Sequence, residues 1–114
     1  SLNSARSKAR DTKRIGDLRQ VALALEMYYD DNSAYPVAAT CTAATYTTMA
    51  TTVEAGGKYI TKMPVDTTYM YGATAQDYTL KTTLENTTNT ALATDVDGTS
   101  NTCACDDPAY CVSP

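Results

Sequence analysis

Four cysteines are the residues of this sequence best suited to covalent chemistry: Cys41, Cys103, Cys105 and Cys111. Their even number favours two disulfide bonds, as in small domains from oxidising compartments. Zinc ligation fits less well, because the single residue between Cys103 and Cys105 is too tight a spacing and the chain has no histidine. Free thiols are the remaining alternative. We therefore predict disulfides and a periplasmic or extracellular location.

The spacing of the cysteines restricts how they pair. A bond between Cys103 and Cys105 has too little reach for relaxed geometry, so Cys41 must pair into the C-terminal tail. Two patterns remain open. One joins Cys41 to Cys103 and Cys105 to Cys111, and the other joins Cys41 to Cys105 and Cys103 to Cys111.

The missing histidine also bears on catalysis. Without histidine there is no Ser-His-Asp or Cys-His arrangement, and the commonest general base near neutral pH is lacking. The glycine pair at residues 56–57 lacks the context of a phosphate-binding loop. We expect no enzymatic activity and no cofactor, with calcium as the one ion worth testing.

Charge is divided unevenly along the chain. Six basic and two acidic side chains in the first twenty residues give +4, and three lysines against eleven carboxylates give −8 thereafter, in agreement with the net charge of −4. Such a basic arm is consistent with a solvated helix face, an anionic partner or complementary packing between copies. Nucleic acid is a poor candidate, because the body is acidic and no aromatic side chains interleave with the arginines.

The secondary structure that must position the cysteines and charged side chains begins with a predicted N-terminal helix. Residues 1–31 contain no proline and one glycine, and apolar side chains recur at 3-4-3-4 spacing, which predicts one helix with an apolar face. The residues of this helix-packing stripe are Ile15, Leu18, Ala22, Leu25 and Tyr29. The front half of this helix carries mainly small and charged residues, so it can bury little apolar surface.

The rest of the chain predicts a small β structure. Residues 32–67 form a loop with a short helix over 46–54, closed by the two glycines. Strands are expected over 68–72, 77–84 and 90–96, and a polar, cysteine-rich tail over 97–114. The fold class is therefore α+β: one domain of a long N-terminal helix on an antiparallel sheet of three to four strands, with a disulfide-stapled tail.

Residues 1–36 resemble the helix-to-loop region of type IV pilins and of type II secretion pseudopilins, through the runs SLNSAR, ARDTKRIGDLRQ, ALEMYYDDN and YP. The run YITKMPVD at 59–66 and the strands after it are similar to the same family more loosely. The resemblance implies a structural subunit of a type IV pilus-like filament, acting by self-assembly with other pilin subunits. It also implies an apolar N-terminal helix half, absent here, that anchors the subunit in the inner membrane before assembly.

Two features distinguish the branches of this family. The cysteines favour a pilin, because many pilins close a C-terminal loop with a disulfide. The run Asp95-Val96-Asp97-Gly98-Thr99-Ser100-Asn101 resembles instead the calcium-binding loop of major pseudopilins. That alternative predicts calcium ligands at Asp95, Asp97 and Asn101, whose oxygens suit this ion. An acidic surface turn is the competing interpretation.

Overall fold

The computed structural model describes residues 1–114, in which a long helix packs on a four-stranded antiparallel sheet. The elements are α1 (Leu2–Asn32), β1 (Ala38–Thr42), α2 (Ala43–Glu54), β2 (Met70–Ala73), β3 (Tyr78–Thr83), β4 (Thr99–Ser100), β5 (Cys103–Ala104) and β6 (Ala109–Val112). The sheet has the strand order β1-β2-β3-β6, and β4 pairs with β5 in a separate hairpin. The predicted α+β class is confirmed.

Helix α1 forms where the sequence predicts it. Ser1 caps its first turn, because the Ser1 hydroxyl oxygen accepts a hydrogen bond from the Ser4 amide at 3.2 Å. The helix ends at Asn32, and Ser33 caps it in the left-handed conformation with a φ of 57°. Its 31 residues correspond to about 46 Å at 1.5 Å per residue, which equals the longest dimension of the molecule, 46 Å. No helix in the structure has the length and apolar character needed to span a bilayer.

The apolar stripe of α1 faces the sheet of its own chain. Ile15, Leu18 and Leu25 are buried in one core with residues of β2 and β3, whereas Ala22 and Tyr29 are partly buried against that core. Ahead of Asp11 the helix buries almost nothing. The helix packing expected of these five residues is therefore packing within the chain.

The segment predicted as a loop with a short helix contains more regular structure than expected. Strand β1 lies within it, and α2 begins at Ala43, three residues before the predicted start. A capping box sets that start, because the Thr42 and Thr45 hydroxyls each accept a hydrogen bond from the other residue's amide. Beyond α2, Gly56 and Gly57 adopt φ values of 77° and 66°, which only glycine reaches without strain.

The prediction of a third strand over residues 90–96 is wrong. Residues Thr90–Ala93 form a 3-10 turn, capped by a hydrogen bond of 2.9 Å from the Ala91 amide to Asn89 Oδ1. Alanine has little preference for strands, and asparagine favours the start of a helical turn. The place beside β3 is taken by β6 from the tail, with Leu80 opposite Val112 and Thr82 opposite Tyr110. The tail thus supplies an edge strand of the sheet.

The β4–β5 hairpin covers the sheet face opposite α1. Gly72 and Thr79, a cross-strand pair, both meet this hairpin. The Thr79 and Ser100 hydroxyl oxygens lie 2.7 Å apart, and a Cβ on Gly72 would collide with the carbonyl oxygen of Asn101. Gly72 is therefore required for the close approach of two backbones.

Substitution of this glycine provides a test of the hairpin's position. We expect Gly72→Ala to lower the free energy of unfolding by about 1–3 kcal/mol, because the backbone at Asn101 must move. Gly16→Ala, at an exposed α1 position with no heavy atom near the added Cβ, should instead raise it by about 0.5–1 kcal/mol. Urea denaturation measures both. Equal stability of Gly72→Ala and the parent chain would contradict the packing.

Candidate functional site

A cluster of three carboxylates lies where the segment before β4 meets the loop before β6. Asp95 and Asp97 come from the former and Asp107 from the latter, and one oxygen of each lies within 4.8 Å of the others. Asp95 is partly buried, whereas Asp97 and Asp107 are exposed. Two of the three residues predicted as calcium ligands are thus brought together.

The third predicted ligand, Asn101, lies elsewhere. Its side-chain amide donates hydrogen bonds of 3.1 Å to Asp77 Oδ2 and to Thr79 Oγ1, so the amide faces the sheet. Asp107 takes the place expected of Asn101 in the cluster. Sequence reasoning missed it because Asp107 lies ten positions after Asp97 in the chain. The only available signal was that closure of a loop between Cys105 and Cys111 would carry Asp107 back toward Asp95.

Backbone hydrogen bonds hold the two sides of the cluster together. The Cys111 amide donates to Asp95 Oδ2 at 3.1 Å, and the Val96 amide donates to the Cys111 carbonyl at 3.2 Å. The Cys105 amide donates to the Gly98 carbonyl at 2.8 Å. Residues 95–98 therefore run beside the 105–111 loop as a strap, and we use that name for them below.

One atom of the cluster has no partner. Asp95 Oδ1 is buried and accepts no hydrogen bond, and it is the sole buried side-chain oxygen or nitrogen of the chain in this state. Burial, followed by the charges of Asp97 and Asp107, raises the pKa of Asp95. An unpartnered buried carboxylate oxygen is costly, so this position favours a bound cation.

The oxygen spacing is compatible with calcium. Calcium lies 2.3–2.6 Å from its ligands, so two ligands on opposite sides of the ion are about 4.6–5.2 Å apart. The three oxygens lie within 4.8 Å of one another, which is close enough for one ion to contact all three. Three carboxylates supply only part of the six to eight ligands that calcium takes, and backbone carbonyls or water must supply the others.

Two disulfides are formed, and Val96 of the strap packs against their cysteines. They join Cys41 to Cys103 and Cys105 to Cys111, which confirms the prediction of disulfides and selects between the two patterns left open. The first bond spans 62 residues and links β1 to β5, whereas the second spans six and closes the 105–111 loop. By the loop-entropy relation these spans correspond to about 4 and 2 kcal/mol of stabilisation.

Half of the basic side chains on the front of α1 are paired within the chain. Arg10 binds both oxygens of Glu85 at 2.7 and 2.8 Å, and Arg14 binds Glu85 at 2.7 Å. These hydrogen bonds lower the pKa of Glu85 to about 2. Lys13 pairs with Asp17 at 2.8 Å. The other three basic side chains of this region form no ion pair: Arg6, Lys8 and Arg19.

Asp11 anchors this charged region. Its carboxylate is fully buried and accepts hydrogen bonds of 2.9 Å from the amides of Glu85 and Asn86. Arg14 Nη1 lies 3.5 Å from Asp11 Oδ1 and balances its charge. The turn after β3 is thus fixed to the helix by a charged acceptor.

Comparison of the chain with protein-family models, with curated proteins and with solved structures yields no match. Its function must therefore be inferred from the residues themselves.

Replacement of the anchor should destabilise the fold. We expect Asp11→Ala to lower the free energy of unfolding by about 2–4 kcal/mol, because the amides of Glu85 and Asn86 lose a charged acceptor at a buried position. Asp30→Ala, at an exposed position on the same helix without an ion pair, should change it by less than about 0.5 kcal/mol. Chemical denaturation of both variants provides the measurement. Similar stabilities would show that Asp11 is not an anchor.

Proposed function

We propose that this protein is a structural subunit of a type IV pilus-like filament and acts by self-assembly, without enzymatic activity. The observation that carries the proposal is the division of α1. Its back half is buried against the sheet, whereas its first ten residues extend from the body with almost no burial. A helix of this kind supports association with neighbouring helices, since isolated helix ends gain little stability by themselves.

The outward face of α1 supplies a surface for such contacts. Leu23 and Met27, one turn apart, are 63% and 44% exposed. The unpaired cations Arg6, Lys8 and Arg19 lie on the same helix, and the strap and its neighbouring loop carry unpaired carboxylates. Opposite charges at separate places on one surface favour ordered contact between copies.

The proposed location follows from the cross-links. Two disulfides persist most readily in the periplasm or outside the cell. The subunit would be anchored in the inner membrane through an apolar helix segment ahead of Ser1 and would leave the membrane on assembly. Nucleic acid is not a proposed partner, because half of the basic arm is paired within the chain.

Assembly can be tested with an apolar segment of about twenty residues fused ahead of Ser1. We expect residues 1–114 alone to sediment as a monomer or weak oligomer, because little apolar area is exposed. The fused chain should insert into membranes and give a ladder of multimers when a photo-crosslinker is placed on α1. A large, tight oligomer of residues 1–114 alone, or no ladder from the fused chain, would contradict the proposal.

Point variants test whether the outward face of α1 mediates assembly. Leu23→Asp together with Met27→Asp should remove most of the crosslinked multimers without lowering the stability of the folded domain. Val65→Asp is the matched control, since Val65 is 79% exposed but lies beside α2. Loss of multimers in the control alone would show that another face mediates assembly.

A second candidate function is that of a major pseudopilin with a calcium-stabilised C-terminal region. The unpartnered Asp95 Oδ1 within the carboxylate cluster favours it. Asp95, Asp97 and Asp107 would hold the ion, and its charge would offset the repulsion among them. The ion would also join the strap to the 105–111 loop.

Calcium binding should stabilise the fold by RT ln(1 + [L]/Kd), or about 2.7 kcal/mol at a hundredfold excess of calcium over Kd. We expect thermal melts to be raised by calcium and not by magnesium, which demands a tighter octahedral site. Asp97→Ala and Asp107→Asn should abolish the shift, and Asn101→Ala should keep it, because Asn101 faces the sheet. Identical thermal melts in calcium, in magnesium and in chelator would instead favour a pilin whose C-terminal tail is held by the disulfides alone.

A further inference from the structure

The turn after β3 contains a motif that filament assembly does not use. Residues Asn86-Thr87-Thr88 match Asn-x-Thr, the acceptor sequence for N-linked glycosylation. No other asparagine of the chain has serine or threonine two positions later; Asn3, Asn32 and Asn89 have alanine there, and Asn101 has a disulfide-bonded cysteine. A three-residue motif occurs often by chance, so the geometry of the Asn86 side chain must support the assignment of a glycosylation site.

Hydrogen bonds from Thr88, within the same motif, orient the Asn86 side chain. Asn86 Oδ1 accepts hydrogen bonds from the Thr88 amide at 3.1 Å and from the Thr88 hydroxyl at 2.9 Å. Because a backbone amide can only donate, these bonds fix which side-chain atom is the oxygen. Nδ2 keeps both of its hydrogens without a partner in the chain. The nitrogen that would carry a sugar is therefore the free end of the side chain.

The turn is exposed and well supported. Thr87 and Thr88 are exposed and Asn86 is half-buried, whereas the Asn86 amide is held by Asp11 and the Asn86 carbonyl accepts from the Asn89 amide at 3.1 Å. By contrast, Asn89 uses its Oδ1 to cap the following 3-10 turn. A bulky polar group on Asn86 Nδ2 would thus extend into solvent without displacing any hydrogen bond of the fold.

We propose that Asn86 is an acceptor site for N-linked glycosylation by an oligosaccharyltransferase that recognises Asn-x-Thr. The donor is an oligosaccharide linked to a lipid through a diphosphate. A bond forms between Asn86 Nδ2 and the anomeric carbon of the first sugar, and the bond from that carbon to the diphosphate oxygen breaks. The lipid diphosphate leaves with the electron pair, and Nδ2 loses one proton to a base of the transferase. The proposal requires export of the chain but not filament assembly.

The test uses the full chain, directed by a signal peptide into a secretory route whose transferase modifies a co-secreted reporter with one Asn-x-Thr motif. Intact mass of the secreted protein is the readout. We expect one added oligosaccharide, absent from Asn86→Gln and Thr88→Ala and kept in Thr88→Ser. Enzymatic release of the glycan should leave aspartate at position 86, which adds one mass unit to that peptide.

Two control variants separate the motif from its surroundings. Thr87→Ala changes the tolerated middle position, and Asn89→Gln changes the neighbouring asparagine, so both should be modified as fully as the parent chain. Correct disulfides, checked by unreduced peptide mapping, show that each variant has folded. An unmodified parent chain beside a modified reporter would overturn the proposal, as would a glycan that persists in Asn86→Gln.

Discussion

The buried carboxylate of Asp11 is the interaction on which the arrangement of helix and sheet depends. It accepts from two consecutive amides of the turn after β3 and lies beside Arg14, which also reaches Glu85 and Asp66. Removal of Arg14 leaves the buried Asp11 charge without a counterion, and removal of Asp11 leaves two amides without an acceptor. Either change costs more than the loss of an exposed ion pair. This anchor fixes where α1 leaves the body, and hence which part of the helix is free.

Tyrosines and cross-links compensate for a core with few large aliphatic residues. Tyr69, Tyr71 and Tyr46 are buried as rings, and their hydroxyls donate to Asp17 and to the carbonyls of Pro36 and Pro64 at 2.6–2.7 Å. Each ring therefore contributes apolar area without leaving its hydroxyl unpaired. The disulfides then hold the hairpin and tail, whose buried side chains are Ala109, Tyr110 and the three cysteines of this region.

Local patterns were sufficient to predict α1, the short helix and the β2–β3 hairpin, because periodicity, caps and turn residues act over a few positions. Non-local choices were not predictable. A strand was expected over 90–96, but Ala109–Val112 pairs with β3 instead. Only the folded position of the tail shows this pairing. Likewise, two disulfide patterns satisfied the same spacing. Asp107 joins Asp95 and Asp97 through the closed 105–111 loop, a relation that no sequence window contains.

The two outer strands of the sheet also determine how copies of this chain behave when crowded. On β6, the outward amide and carbonyl of Cys111 are both occupied by the strap, and on β1 the Cys41 amide is occupied by the Thr102 hydroxyl at 2.7 Å. The border at β6 therefore offers no open ladder to another strand, and the border at β1 has one of its amides already paired. Strand exchange and cross-β growth are thereby disfavoured even at high local concentration, as long as both disulfides remain closed.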